Sequence, residues 1–138
     1  MEKELNKCKA NIVFLKNAKK QKGIYEISIV YKGNEASKRS FYIGKSTYDI
    51  EKRWISHIGS IFVNPEQWGA DTLINNENVI FEFDIINDDV NQERSLIQKN
   101  GSITQQKQGK VTDKLLASKE IASRIMAWLN TYSKELCK

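Results

Sequence analysis

The chain has few of the residues that cross-link small proteins, and it has no long apolar run. Its 138 residues include only two cysteines, Cys8 and Cys137, which lie near opposite ends with no Cys-x-x-Cys spacing. A disulfide framework or a structural zinc site is therefore not expected. No apolar run approaches the ~20 residues of a membrane span, and Met1 to Glu4 lack the apolar core of a signal peptide. We expect a cytoplasmic protein with no membrane partner.

Positive charge is scarce in the middle of the chain and abundant at its ends. Residues 1–22 carry seven lysines against two acids, and residues 107–138 carry seven basic groups against three acids. Residues 23–106 have eight basic and twelve acidic groups. A polyanionic partner would then be held mainly by the flanks, although Lys-rich flanks can also be solvated helix surfaces. The length suits a single domain, 1–138, with a core at 23–106 and basic helical flanks at 1–22 and 107–138.

The first half of the core has the pattern of a hairpin followed by a helix. Ile24 to Tyr31 is rich in β-branched and aromatic residues, which predicts a strand. The turn-forming segment 32–37 follows, and Ser40 to Ile43 returns as an antiparallel strand. Ser46 and Asp49 fit the opening of a helix. The apolar stripe of that helix comprises Ile50, Trp54, Ile58 and Ile61.

The flank before the core has two possible structures. Residues 2–20 place Leu5, Cys8, Ile12 and Leu15 at helical spacing, which predicts an amphipathic helix. The run from Ile12 to Leu15 is also compact and apolar, so a strand is possible there.

The second half alternates between irregular, strand and helix patterns. Asn64 to Asn78, which holds the one proline, predicts an irregular connection, and Val79 to Ile86 predicts a strand. Asn91 to Lys99 predicts a short helix that ends near Gly101, and a long helix is predicted from Thr112. The order of elements predicts an α+β fold, a small α/β sandwich with a three-stranded, mostly antiparallel sheet flanked by helices.

Two short strings lie inside the predicted hairpin, Gly-Ile-Tyr at 23–25 and Tyr-Ile-Gly at 42–44. They would bring Tyr25 and Tyr42 onto neighbouring strands, and Lys45 would stand at the exit of the second strand, where a cation can meet a phosphate. Tyrosines in strands are usually half-buried packing residues, and a turn lysine needs no function. These three residues therefore indicate a function only together with other functional groups.

A cation and an imidazole accompany them on the predicted helix. Arg53 and His57 are four residues apart and so share one helix face. That face is rotated by about 100° from the apolar stripe, so the helix can bury the stripe and present both groups at the edge of the sheet. His57 is the only histidine of the chain. A lone histidine is often structural, but its place one turn from an arginine favours proton transfer beside a phosphate clamp.

One carboxylate completes the set. Glu93 lies early in the short predicted helix, where an acid is also a favourable partner of the helix dipole. A single carboxylate can hold Mg²⁺ when phosphate oxygens and waters complete the octahedron. A base, a charge clamp and a metal carboxylate together suit attack on a phosphodiester.

These residues, in this order, resemble the GIY-YIG nuclease superfamily over about residues 23–106. The resemblance implies two tyrosines on adjacent strands, Tyr25 and Tyr42, a lysine after the second string, Lys45, and an arginine and histidine one turn apart. It also implies that a later glutamate, Glu93, binds the metal. Two features depart from the family: the segment between the strings is longer, and the asparagine that often follows the glutamate has Gln105 near its place, with Asn100 as a less favoured substitute.

The resemblance implies a DNA endonuclease that uses Mg²⁺, with Mn²⁺ as an alternative, on duplex or branched DNA. Tyr42 or Tyr25 would take the proton of the attacking water, and we choose Tyr42. Arg53 would hold the phosphate, His57 would orient the water or assist proton transfer, and Glu93 would bind the metal. One alternative is a nucleic-acid-binding module that has lost cleavage. Another is a protein-interaction domain, or a homodimer, that pairs through the 112–136 helix.

Overall fold

The computed structural model describes residues 9–105 and 114–136, with side chains as far as residue 133. Its centre is a four-stranded sheet in the order β1-β4-β2-β3. Strand β1 pairs in parallel with β4, and the other neighbours are antiparallel. The strands are β1 (Asn11–Phe14), β2 (Gly23–Tyr31), β3 (Asn34–Ser46) and β4 (Val79–Asn87). The predicted α+β class is confirmed.

Helices flank the sheet on both faces. They are α1 (Ile50–Val63), α2 (Asp71–Ile74), α3 (Glu93–Asn100) and α4 (Ser118–Leu136). Two 3₁₀ turns lie between them, at Pro65–Trp68 and Val90–Gln92. The segment predicted as an irregular connection thus contains a 3₁₀ turn and the short helix α2. Among the described residues, no helix is long and apolar enough to cross a membrane.

The opening of α1 follows the prediction in detail. The Asp49 side chain accepts a hydrogen bond from the Glu51 N–H at 3.0 Å, which satisfies one of the free amides of the first turn. The Ser46 hydroxyl in turn accepts from the Asp49 N–H at 2.9 Å. Ile50 and Trp54 are buried on the sheet side, as the stripe predicted. This cap fixes where the helix starts relative to the end of β3.

The prediction of a three-stranded sheet and of an N-terminal helix over 2–20 is wrong within the described residues. Leu5 and Cys8 lie outside them, but residues 11–14 form β1. Ile12 pairs with Phe81 at the free edge of β4. The strand wins because β-branched and aromatic side chains suit a pleated edge. The strand alternative for this segment is therefore confirmed.

The C-terminal helix begins later than predicted. Residues 111–113 lie outside the described part, residues 114–117 are not helical, and α4 starts at Ser118. The backbone N–H of Leu116 instead donates to the Thr104 carbonyl at 2.8 Å. The apolar face of α4 packs into the chain's own core through Ile121, Ile125, Trp128 and Leu129. Burial of that face therefore needs no second copy of the chain.

The two faces of the sheet carry unequal cores. The large cluster contains Tyr25, Tyr42 and Trp54 and lies under α1 and α4. A small cluster of Ile24, Ile43 and Ile97 lies on the other face, under α3. Side chains alternate between faces along a strand, so neighbouring residues of one string reach different layers.

Candidate active site

The register of the hairpin brings the two strings together. Tyr25 lies opposite Gly44, and Tyr42 lies opposite Ile27, two residues along β2. Residues that face each other across antiparallel strands share one side of the sheet, so both tyrosines project toward α1. Their ring centroids are 6.3 Å apart. The predicted meeting of the two phenols is present in the structure.

Gly44 makes this arrangement possible. The ring of Tyr25 lies across it: a Cβ built on Gly44 would be 2.6 Å from Cζ of Tyr25, and nearer still to its hydroxyl. The same Cβ would lie 2.8 Å from Cε2 of Tyr42. No real side chain tolerates such contacts, so the ring of Tyr25 can pack against position 44 only because that residue is glycine.

His57 lies in the same layer and contacts both phenols. Its Nε2 is 2.6 Å from the Tyr25 hydroxyl oxygen, a short hydrogen bond. Its ring centroid is 4.9 Å from that of Tyr42. We predicted that Arg53 and His57 would both stand at the sheet edge, but His57 is only 8% exposed, whereas Arg53 is exposed to solvent. The helix therefore places His57 in the core and Arg53 at its surface.

Burial and a neighbouring cation keep His57 uncharged. Its pKa is lowered from 6.5 to about 4, first because burial disfavours the imidazolium and second because the Arg53 guanidinium repels it. At neutral pH the ring therefore holds one proton and keeps one nitrogen free to accept a hydrogen bond. A neutral imidazole beside a phenol is an arrangement that can receive a proton.

Trp68 closes this layer, and sequence reasoning did not select it. Its ring meets His57 and Tyr42 edge-on, with centroids 5.8 and 5.5 Å away. Its Nε1 donates to the Ser60 hydroxyl at 2.7 Å, which fixes the ring against α1. The signal was a tryptophan inside an otherwise polar connection, followed by Gly69 in a left-handed conformation at φ +59°.

Lys45 and Glu93 form the other half of the candidate site. Lys45 lies opposite Ile24 in the hairpin, so it projects to the face that carries α3. There its Nζ is 3.9 Å from Oε1 of Glu93, the first residue of α3. Glu93 is only 6% exposed. The two halves meet through Gly44 and Lys45, which are neighbours in the chain but face opposite sides of the sheet.

The donor set of the site fits Mg²⁺ better than zinc. Across the part of the chain that the structure describes, no three His, Cys, Asp or Glu side chains converge on one point. Zinc sites in proteins need three or four such ligands. Mg²⁺ keeps several of its waters and is often held by one carboxylate together with substrate phosphates. Glu93 would be the residue that holds such an ion, and this role stays a prediction.

Gln105 binds the backbone of the second string. It is fully buried, and its Nε2 donates to the Ile43 carbonyl at 2.7 Å while its Oε1 accepts from the Ile43 N–H at 2.9 Å. The Ser102 hydroxyl donates to the same Oε1 at 2.6 Å. The Gln105 amide thus pairs with the backbone N–H and C=O of Ile43, as a neighbouring strand would, at the outer edge of β3 between Tyr42 and Gly44. A direct catalytic role of Gln105 stays a prediction, and the geometry gives it a positioning role.

Asn100, the less favoured substitute, lies elsewhere. Its Nδ2 donates to Oε2 of Glu26 at 3.0 Å, at the exposed end of α3. It shows no contact with either string among the hydrogen bonds of the described residues.

No protein-family model, no curated protein and no solved structure matches this chain. The resemblance to GIY-YIG nucleases therefore stays a prediction that rests on the residues themselves.

Proposed function

We propose that the protein is a Mg²⁺-dependent DNA endonuclease that hydrolyses phosphodiester bonds. The observation that carries this proposal is the 2.6 Å hydrogen bond between Tyr25 and a neutral His57, next to Tyr42. A phenylalanine at position 25 would fill the same space but would not make this hydrogen bond, so the hydroxyl adds a polar contact beyond packing. It supplies a path for a proton in a site whose outer rim carries Arg53.

The proton path starts at the attacking water. In the tautomer that carries the ring proton on Nδ1, the Tyr25 hydroxyl would donate to Nε2 of His57, and the phenol oxygen would accept a proton from water. As the water oxygen bonds to phosphorus, its proton passes to Tyr25 and the proton of Tyr25 passes to His57. The bond from phosphorus to the leaving oxygen breaks, and that oxygen takes a proton from solvent. The hydrogen bond to His57 supports Tyr25 in this role over Tyr42, our choice from sequence, but Tyr25 is 0% exposed, so the attacking water must enter this buried layer to reach it.

Arg53 links substrate binding to this proton path. An exposed guanidinium can bind a phosphate with two parallel hydrogen bonds. The charge of Arg53 also contributes to the low pKa of His57. A bound phosphate offsets that charge, so His57 becomes a better proton acceptor when the substrate is in place. Arg53 would therefore clamp the phosphate and help to prepare the acceptor.

Glu93 would hold the metal on the other side of the strand end. When bound, Mg²⁺ would polarise the phosphate and stabilise negative charge on the leaving oxygen. Lys45, 3.9 Å from Glu93, adds a second cation that can contact a phosphate oxygen. Glu93 is thus both the metal ligand and the residue that keeps Lys45 at the strand end.

The test is metal-dependent nicking of plasmid DNA by matched variants. Tyr25→Phe keeps the ring over Gly44 but removes the hydroxyl, and we expect activity to fall about 10²- to 10⁴-fold. Tyr31→Phe is the control, because Tyr31 lies on the same strand and is only 5% exposed. Its hydroxyl accepts a hydrogen bond from Nδ2 of Asn78 at 3.4 Å, away from the site.

Glu93→Ala tests the metal half of the proposal. It should abolish the Mg²⁺-dependent cleavage, whereas Glu77→Ala, an exposed acid before β4, should leave it intact. Equal traces of cleavage by wild type and Glu93→Ala would mean that the activity is a contaminant. The nuclease proposal would then be lost.

The second candidate is a nucleic-acid-binding module of the same fold without cleavage. One observation favours it: the Gln105 amide is occupied by Ile43 and does not reach into the site as a replacement for the family asparagine. DNA binding that persists in wild type and in Glu93→Ala, with no metal-dependent cleavage in either, would establish this alternative.

A further inference from the structure

Tyr48 stands out as an aromatic residue that the fold does not bury. Its side chain is 76% exposed, the largest value for a large apolar or aromatic residue among those described. The loop that carries it is nonetheless fixed, since the Tyr48 N–H donates to the Ser46 hydroxyl at 3.2 Å. An exposed aromatic on a rigid loop loses little freedom when it binds a partner. Such a residue is suited to recognition.

Three lysines line the same groove as this ring. The Lys52 ammonium lies 5.1 Å from the centroid of Tyr48, within the range of a cation–π contact. Lys19 and Lys20 line the same groove, whose volume is about 650 Å³. We call Tyr48, Lys19, Lys20 and Lys52 the tyrosine platform.

Two acids also line the groove, against three lysines, and one of the acids is largely buried. Asp49 is 7% exposed, and its carboxylate accepts the Lys20 and Glu51 N–H groups. Glu51 is partly exposed on the first turn of α1. The accessible charge of the groove is therefore positive.

The backbone of Lys20 is strained to keep this arrangement. Lys20 has φ +58°, the only positive φ of a non-glycine residue in the described chain. Glycine or asparagine would adopt this conformation more readily. Its N–H donates to the Asp49 carboxylate at 3.1 Å, which fastens the loop to the start of α1. Because lysine is strained at this φ, Lys20 is a candidate for a functional side chain.

Two residues of the platform are close in the chain to residues of the candidate active site. Tyr48 follows Lys45 by three residues, and Lys52 immediately precedes Arg53. A strand whose phosphate lies against Arg53 would therefore pass the platform with its next nucleotides.

We propose that the tyrosine platform stacks an unpaired base next to the phosphate that is cut, and that the preferred substrate is DNA with unpaired nucleotides. That the neighbouring phosphate is cleaved rests on the proposed function, whereas the base-stacking site itself does not. An aromatic face with lysines around it is the usual means of holding a single strand, because every base has a flat face and every linkage a charge. A base inside an intact duplex cannot stack on Tyr48.

The test compares three fluorescent DNAs of one sequence: a perfect duplex, the same duplex with a three-nucleotide bulge, and the single strand. Anisotropy without divalent metal gives Kd independently of cleavage. The wild type should bind the bulged duplex about 5- to 150-fold more tightly than the perfect duplex, the range expected for one stacked base. Tyr48→Ala should lose this preference, and Tyr48→Trp should keep it.

Two further variants separate stacking from other effects. Ile55→Ala removes an apolar side chain of the same groove that is 60% exposed, and it should leave the preference unchanged. Lys20→Gly should relieve the strained φ and keep or raise the midpoint of thermal unfolding. It should also weaken binding to all three DNAs and reduce the salt dependence by about one charge.

The outcomes decide between the proposals. Equal Kd values of wild type and Tyr48→Ala on all three DNAs would overturn the platform. A change in the oligomeric mass of Tyr48→Ala, with DNA binding unaffected, would also overturn it in favour of contact between two copies. A wild type that shows the bulge preference but no metal-dependent cleavage would keep the platform and remove the nuclease proposal.

Discussion

Replacing Gly44 with alanine is the sharpest test of how the two strings fit together. The added methyl carbon would lie 2.6 Å from Cζ of Tyr25 and 2.8 Å from Cε2 of Tyr42. Carbon atoms in contact prefer about 3.5–4.0 Å, so each ring must retreat by about 1 Å. Both rings are buried, at 0% and 6% exposure, so they must move against neighbouring core atoms. Overpacking of this kind costs about 1–3 kcal/mol of the free energy of unfolding.

Gly59 provides a control with the same chemical change. It lies in α1, and a Cβ built there would meet nothing within 4 Å. Because alanine is a better helix former than glycine, Gly59→Ala should stabilise the protein by about 1 kcal/mol. Urea unfolding, followed by tryptophan fluorescence and circular dichroism, should therefore move the two variants in opposite directions.

A second background locates the clash. In Tyr25→Phe the atom nearest to the new methyl group, the hydroxyl oxygen, is absent, so Gly44→Ala should cost less there by at least about 0.5 kcal/mol. In the nuclease assay, Gly44→Ala should lose about 10²-fold in activity, as expected for a reacting group displaced by 1 Å. If Gly44→Ala is as stable as wild type, or if its cost is the same in both backgrounds, the contact between Tyr25 and Gly44 is wrong.

Three further predictions concern His57, Gln105 and the metal. The pKa of His57 is 6.5 when unperturbed and about 4 in the folded chain, so between these values only the unfolded chain takes up a proton. The free energy of unfolding therefore has its full value above pH 6.5 and falls by about 3 kcal/mol toward pH 4. Urea unfolding should show that loss in wild type but not in His57→Gln. Parallel pH curves of the two proteins would contradict the burial of a neutral ring. Gln105→Met should lower the free energy of unfolding by about 3 kcal/mol because it leaves two buried backbone groups of Ile43 without their partner amide. Asn100→Ala, on the surface, should cost less than about 1 kcal/mol. Equal costs would refute the role of Gln105 in holding Ile43. EDTA should abolish cleavage yet hardly change the thermal midpoint, since an ion held by one carboxylate such as Glu93 adds little stability; loss of helical ellipticity would instead indicate a structural metal.

The parts of the fold that depend on local signals could be predicted from the sequence. The hairpin followed from two β-rich runs around a turn, and α1 from Asp49 at its cap and the spacing of Ile50 and Trp54. The helix that carries Glu93 followed from its stop at Gly101, where the backbone is left-handed at φ +64°. In each case the residues that decide the structure lie within one or two turns of each other.

Contacts between distant segments could not be predicted. Strand β1 depends on the free edge of β4, almost 70 residues later in the chain, and the four apolar residues at 12–15 fit a helix equally well. Gln105 is 62 residues from the strand that it holds. His57 was expected at the surface because helical spacing alone cannot show that Trp68 covers it. The sequence could suggest candidate residues for the site, but how deeply each side chain is buried depends on packing between distant segments.

The division of the site between two faces of the sheet has a physical consequence. Tyr25 and His57 lie on one face, whereas Lys45 and Glu93 lie on the other, and a strand is too thick for a phosphate to touch both sets through it. The two sets can act together only where the strands end. Gly23, at φ +139°, lets the start of β2 pack against Asn87 and Asp88 at the end of β4, where a Cβ would collide with the backbone. If the proposed function is correct, the scissile phosphate lies across this end of the sheet, and the glycine of each string is needed to bring one half of the site to it.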